Sequence, residues 1–257
     1  MVSDYLQDVE WSFPQALAVF VAGIFGAFLT TALVLVVRGP DLDIIAFVAS
    51  FAGQAGGNLA AMWILSIRKG TGSFRTDFGL TLEIKHWWGI PAGFGLQIAV
   101  VAITAPLLEL LFPDGAPQQE VASITEDSTT LVERLLIVAM VGIAAPVVEE
   151  MLFRGMLLSR LVRSMSPTWA IVAQAALFAV IHLLDPSAIA ALPGLLLVGV
   201  VLGYAAIRTG SLSLPIMLHA GVNLTAAVAL MFGNELTEWL EQVSESAGVE
   251  ALITLIG

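Results

Sequence analysis

The chain has no cysteine among its 257 residues, which excludes disulfides, thiolate metal sites and cysteine nucleophiles. Charge is scarce as well. Asp, Glu, Lys and Arg make up 12 % of the residues, against roughly 25 % in an average soluble domain, and hydrophobic residues reach 58 %. The ten Lys/Arg are outnumbered by acidic residues, giving a formal net charge of −11. No basic groove or tail is present, so nucleic acid is excluded as a partner. The partner environment is instead the lipid bilayer: a mean hydropathy of +0.92 is that of an integral membrane protein. The first fifteen residues, with Asp4, Asp8 and Glu10, lack the basic region of a signal peptide, and Trp11 and Phe13 suit an interfacial lead-in to a first span.

About 20 apolar residues cross a bilayer as a helix. Ala16–Val37, Ile44–Ile67 and Gly89–Phe112 meet that length, the last with Glu109 near its end. Leu135–Val148 continues to about Leu161 as one long helix, and Thr168–Leu184, Ser187–Ile207 and Ser211–Phe232 follow. The expected fold is therefore all-α, a polytopic bundle of about seven transmembrane helices plus interfacial helices. Residues Phe78 to Trp88 read as an interfacial helix, and Pro113–Glu133 as an acidic solvated loop. After Gly233 the residues Leu236, Trp239, Leu240, Val243 and Ala247 keep helical spacing, an acidic amphipathic helix. These features divide the chain into 1–131 (three spans with an interfacial segment and the acidic loop), a core at 132–230, and a tail at 231–257. Arg68, Lys69, Arg75, Lys85, Arg160, Arg163 and Arg208 share one side, with Arg38 and Arg134 on the other, so the positive-inside rule favours N-in, C-out.

Polar groups inside such spans are costly, rare and usually functional. Glu149, Glu150 and Arg154 close an otherwise uncharged run, and two of the three histidines, His182 and His219, lie in other apolar segments. At a rise of about 1.5 Å per residue, Glu149 and His182 each lie roughly 21 Å from the basic ends of their helices, with His219 and Asn223 at roughly 12 and 18 Å. Three helices thus bring polar groups to overlapping depth. His219 and Asn223 are i, i+4 and share a face, as do Glu150 and Arg154, whereas Glu149 points about 100° away from Glu150. A carboxylate in low dielectric beside a histidine can take a proton from water, and a histidine with an asparagine amide can donate to an oxyanion. Pro146 and Pro215 each stand just before these groups, where they open the helix and admit water. The sum is amide hydrolysis within the membrane.

Glu149-Glu150-x-x-x-Arg154, then Phe178-x-x-x-His182, then His219-x-x-x-Asn223 resemble the three motifs of the CPBP (CAAX prenyl protease and bacteriocin-processing, Abi) family of intramembrane proteases, over roughly residues 132–230. The resemblance implies an endopeptidase acting on membrane-associated peptides or proteins. It implies that Glu149 and His182 activate water and that His219 and Asn223 form the oxyanion hole. Glu150 and Arg154 would fix the helix and tune the site, and Phe178 would pack. It implies a glutamate-type protease with no obligatory cofactor. Zinc held by Glu149, His182 and His219 is the alternative left open, although neither His-Glu-x-x-His nor its inverse is present.

Blander readings stand beside these. Glu150–Arg154 is foremost a structural pair, a lone membrane histidine is commonly an interhelical hydrogen bond, and Asn223 can be packing glue. Gln54, Asn58, Gln97 and Gln174 read as glue, and His86 beside Trp87-Trp88 as interfacial. The alternative functions are a non-catalytic immunity or scaffold protein of the same fold and a transporter using the buried pair as a proton relay. Intact polar groups argue against the first, and the lack of an internal repeat against the second.

Overall fold

The structure, a computed structural model, describes residues 9–40, 43–117 and 130–247, with side chains as far as 232. Its helices are α1 (Phe13–Arg38), α2 (Ile44–Lys69), the short α3 (Phe74–Phe78), α4 (Gly89–Leu111), α5 (Leu131–Leu161), α6 (Pro167–Ile181), α7 (Leu192–Thr209) and α8 (Ser213–Ala247). No strand occurs among the described residues. Among the described residues, seven helices are long and apolar enough to cross a membrane. Their outward faces stay apolar, with Phe28 70 % and Leu33 63 % exposed. Lipid is the solvent such faces match.

Apolar surface gives helices little reason to associate in lipid, so close backbone approach takes over. α1 and α2 form a hairpin on glycines: a Cβ at Gly26 would stand 2.1 Å from the Gly53 carbonyl oxygen, and Thr30 Oγ1 donates to the Ala49 carbonyl at 2.6 Å. α4 meets α8 in the same way, a Cβ at Gly93 standing 2.2 Å from the Leu218 carbonyl oxygen. α8 is thereby central, between α4, α5 and α7. One end of the bundle is locked by Trp11, whose ring stacks on Phe78 at 4.9 Å and whose Nε1 donates to the Asp77 carbonyl at 2.8 Å. The basic residues Lys69, Arg160 and Arg163 converge there around a cleft of about 600 Å3 with Glu10, Trp11 and Ser12.

Three local expectations are corrected. Residues 78–88 are not one helix: α3 ends at Gly79 in the left-handed region (φ 72°), an extended stretch follows, and a 3-10 turn spans Ile84–His86. His86 is buried with its Nδ1 unpartnered, while Trp87 and Trp88 are exposed. α5 begins at Leu131, inside the expected loop, because Thr130 and Glu133 form a reciprocal cap with bonds of 3.2 and 2.9 Å. Residues 118–129 of that loop lie outside the described residues, as do Asp4, Asp8 and the faces of the helical tail at Leu236, Trp239, Leu240, Val243 and Ala247.

Candidate active site

α5 is not a uniform helix. It widens to π geometry at Met140–Ala144, returns to α over Ala145–Glu150, and widens again at Met151–Leu158. Pro146 accounts for an unpaired acceptor in the first π segment. The Ala145 N–H donates to the Met140 carbonyl, five residues back, so the next donor in that register would be residue 146 to Val141. Proline has no N–H. The Val141 carbonyl is left without its helical partner, and Asn223 Nδ2 fills the place at 2.9 Å. A primary amide nitrogen has two hydrogens. One anchors on Val141, which fixes the amide's orientation and leaves the second hydrogen of Nδ2 for another acceptor.

Glu150 is fully buried. Its Oε1 accepts from Arg154 Nη1 at 2.7 Å, and His219 Nδ1 lies 2.8 Å from the same oxygen. A carboxylate paired with arginine only accepts, so Nδ1 carries the proton. Arg154, also fully buried, donates from Nη2 to the Gly199 carbonyl at 3.2 Å and lies over the Phe178 ring at 4.8 Å. Gln174 Nε2 donates to the same carbonyl at 2.8 Å, as the glue reading expected. Glu149 differs from its neighbour as the helical phase required: its side chain is 31 % exposed, with Oε2 3.7 Å from His219 Nε2.

His182 closes α6 rather than lying inside it, since a 3-10 turn takes over at His182–Leu184. Its Nδ1 stands 2.7 Å from the Phe178 carbonyl oxygen. A carbonyl can only accept, so this histidine too is protonated on Nδ1, and Nε2 is the nitrogen without a protein partner. Phe178 joins the two histidines, its ring centroid 4.9 Å from that of His182 and 5.7 Å from that of His219.

The structure therefore brings Glu149, Glu150, Arg154 and His219 into one contiguous cluster, sets His182 against it across Phe178, and places Asn223 one turn beyond His219. His182 makes no hydrogen bond to Glu149. Sequence reasoning missed the His219–Glu150 bond and the Asn223–Val141 bond. Pro146 was the available signal for the second. Both histidines have Nδ1 engaged, which leaves Nε2 of each as the nitrogen that could meet a ligand, and among the described residues no three His, Cys, Asp or Glu side chains are grouped to hold an ion.

A family model described as Rce1-like, type II CAAX prenyl endopeptidase Rce1-like, matches residues 131–225. Over that segment the chain is similar to the Rce1-like family. The segment holds every candidate site residue and runs from the start of α5 into α8, while α1–α4 lie outside the match. No curated protein and no solved structure matches the chain. The matched core is thus similar to CAAX-type membrane proteases, and the seven apolar helices are those of a multi-pass membrane protein.

Proposed function

We propose that the protein is an intramembrane endopeptidase that hydrolyses membrane-associated peptides or proteins with a water activated by Glu149 and His182, without an obligatory metal. Support comes chiefly from one observation: Glu149 is partly exposed beside Nε2 of His219, whose other nitrogen is anchored to the buried Glu150. Water gives a proton to Glu149 and attacks the scissile carbonyl, while His182 Nε2 accepts the water's other hydrogen in a hydrogen bond that orients it. The oxyanion takes hydrogen bonds from Asn223 and from His219, which donates from Nε2 in its doubly protonated form. In that form Glu149, Glu150, Arg154 and His219 carry no net charge together, which suits a site at membrane depth. Collapse of the intermediate breaks the C–N bond, and Glu149 passes its proton to the leaving amine. We read the site as reached from the cytoplasmic half, with N-in, C-out topology.

The test is mass spectrometry of membrane peptides from cells carrying the wild-type or the Glu149→Gln protein. The amide keeps the shape of the carboxylate and cannot take the proton. Specific cleavage products should appear with the wild type and vanish with the variant at equal expression. Identical peptide sets would overturn the assignment.

A further inference from the structure

Two amides outside the Rce1-like core face the same site. Gln54 and Asn58 stand one turn apart on α2 and both line a cavity of about 40 Å3 whose other walls include Glu149, Phe153 and Ile181. That volume holds a water or two. The glue reading of these amides fails on the structure. Glue must bond to a neighbouring helix, yet neither side chain has a hydrogen bond among the described residues, and Asn58 Oδ1 is buried with no partner. α1 makes room for this unpaired group with a glycine: a Cβ at Gly23 would come within 2.1 Å of Asn58 Oδ1. A polar group kept buried and unpaired beside a glutamate is poised for a partner that arrives later.

We infer that Gln54 and Asn58 form the subsite that hydrogen-bonds the main chain of the substrate beside the bond attacked from Glu149; the inference rests on the protease reading above. A scissile segment must leave helical structure to be cut, and in lipid its freed N–H and C=O groups need new partners. A primary amide offers two donors and an acceptor, enough for both kinds of group. Spacing agrees too. Residues i and i+4 of a helix are about 6 Å apart along its axis. Alternate residues of an extended chain, which present their N–H and C=O groups on one edge, are about 6.7 Å apart. The site therefore takes an extended peptide edge and reads its backbone, with Phe20, Phe51 and Phe153 around it to receive apolar side chains.

The two readings of Asn58 predict opposite stability changes. Asn58→Leu and Gln54→Met keep the approximate size of each side chain and remove its polar pair. If the amides serve the substrate, both variants melt at or above the wild-type temperature, because no protein hydrogen bond is lost. KM for a peptide spanning a wild-type cleavage site should rise about tenfold per variant, with kcat within about twofold. An N-methyl group on the peptide amide that pairs with Asn58 should raise KM for the wild type and leave that of Asn58→Leu unchanged. Lower melting with unchanged KM in both variants would overturn the inference while the protease reading stands. Absence of any cleavage by the wild type would overturn both.

Discussion

Arg154→Ala exposes how much the site depends on a single buried cation. Arg154 and Glu150 are both fully buried and joined at 2.7 Å. Losing one partner of such a pair costs about 3–5 kcal/mol, because the other charge stays buried without its counter-ion. The contact of Arg154 over Phe178 at 4.8 Å adds about 1–2 kcal/mol for a desolvated cation–π pair. The bond to Gly199 adds little, since Gln174 still donates to that carbonyl. Against a total stability of about 5–15 kcal/mol the variant is gravely weakened. At about 2–4 °C per kcal/mol for a chain of this size, melting in detergent should fall by on the order of 10 °C or more. The assay is thermal unfolding followed by size-exclusion chromatography, with membrane yield measured in parallel. The double variant Glu150→Gln, Arg154→Met removes both charges together and should recover much of the loss, as buried pairs replaced by apolar groups often do. Arg154→Ala protein that melts within about 2 °C of the wild type would refute the reasoning.

Exhaustive chelation should leave cleavage by the purified protein intact; loss of activity with recovery on added zinc would refute the metal-free mechanism but keep the protease. Asn223→Ala should lower kcat about 10²–10³-fold with little change in substrate binding, the usual cost of one oxyanion donor, which initial-rate kinetics on a cleavable peptide would measure. Pro146→Ala restores an N–H that competes with Asn223 for the Val141 carbonyl, so kcat should fall although residue 146 touches no substrate; unchanged kcat would show that this anchor does not set the amide. Burial would raise the Asp77 carboxyl, but bonds from Ser66 Oγ and from Thr71 N and Oγ1 outweigh it and hold it below the ordinary carboxylate range. A depressed folded-state value contributes stability above the unfolded value of about 3.9 and loses it as pH falls through the folded value. Asp77→Asn should therefore melt lower than the wild type at pH 7 and decline less than it below pH 4; parallel acid limbs would refute this.

The spans were legible because length and hydropathy are local properties, and the bundle follows from them. The polar residues were legible for the opposite reason: Glu149, His182 and His219 contrast with their apolar surroundings. What stayed hidden depends on register between helices. Nothing near Glu150 in sequence says that His219 will reach its Oε1, and the π widening at Met140–Ala144 leaves no trace in composition beyond Pro146. Hydropathy also missed the end of α6, since Leu183 and Leu184 continue the apolar run while the backbone tightens to 3-10. Gln54 and Asn58 looked like packing residues, and only the lack of partners in three dimensions separates them from Gln174, which has one.

The spacing of Glu150 and Arg154 also bears on how the chain enters the membrane. A ribosome completes α5 well before His219 exists, so the helix must partition into lipid with its ionised groups unserved by α8. A charged residue at mid-helix raises the insertion cost by about 2.5–3.5 kcal/mol on translocon scales. Because Glu150 and Arg154 are four residues apart on one helix, they neutralise each other as soon as that turn forms, with no help from a later segment. Between Leu135 and Ser159 the nascent helix thus carries one net charge, that of Glu149, through the translocon, and His219 meets a pair already made.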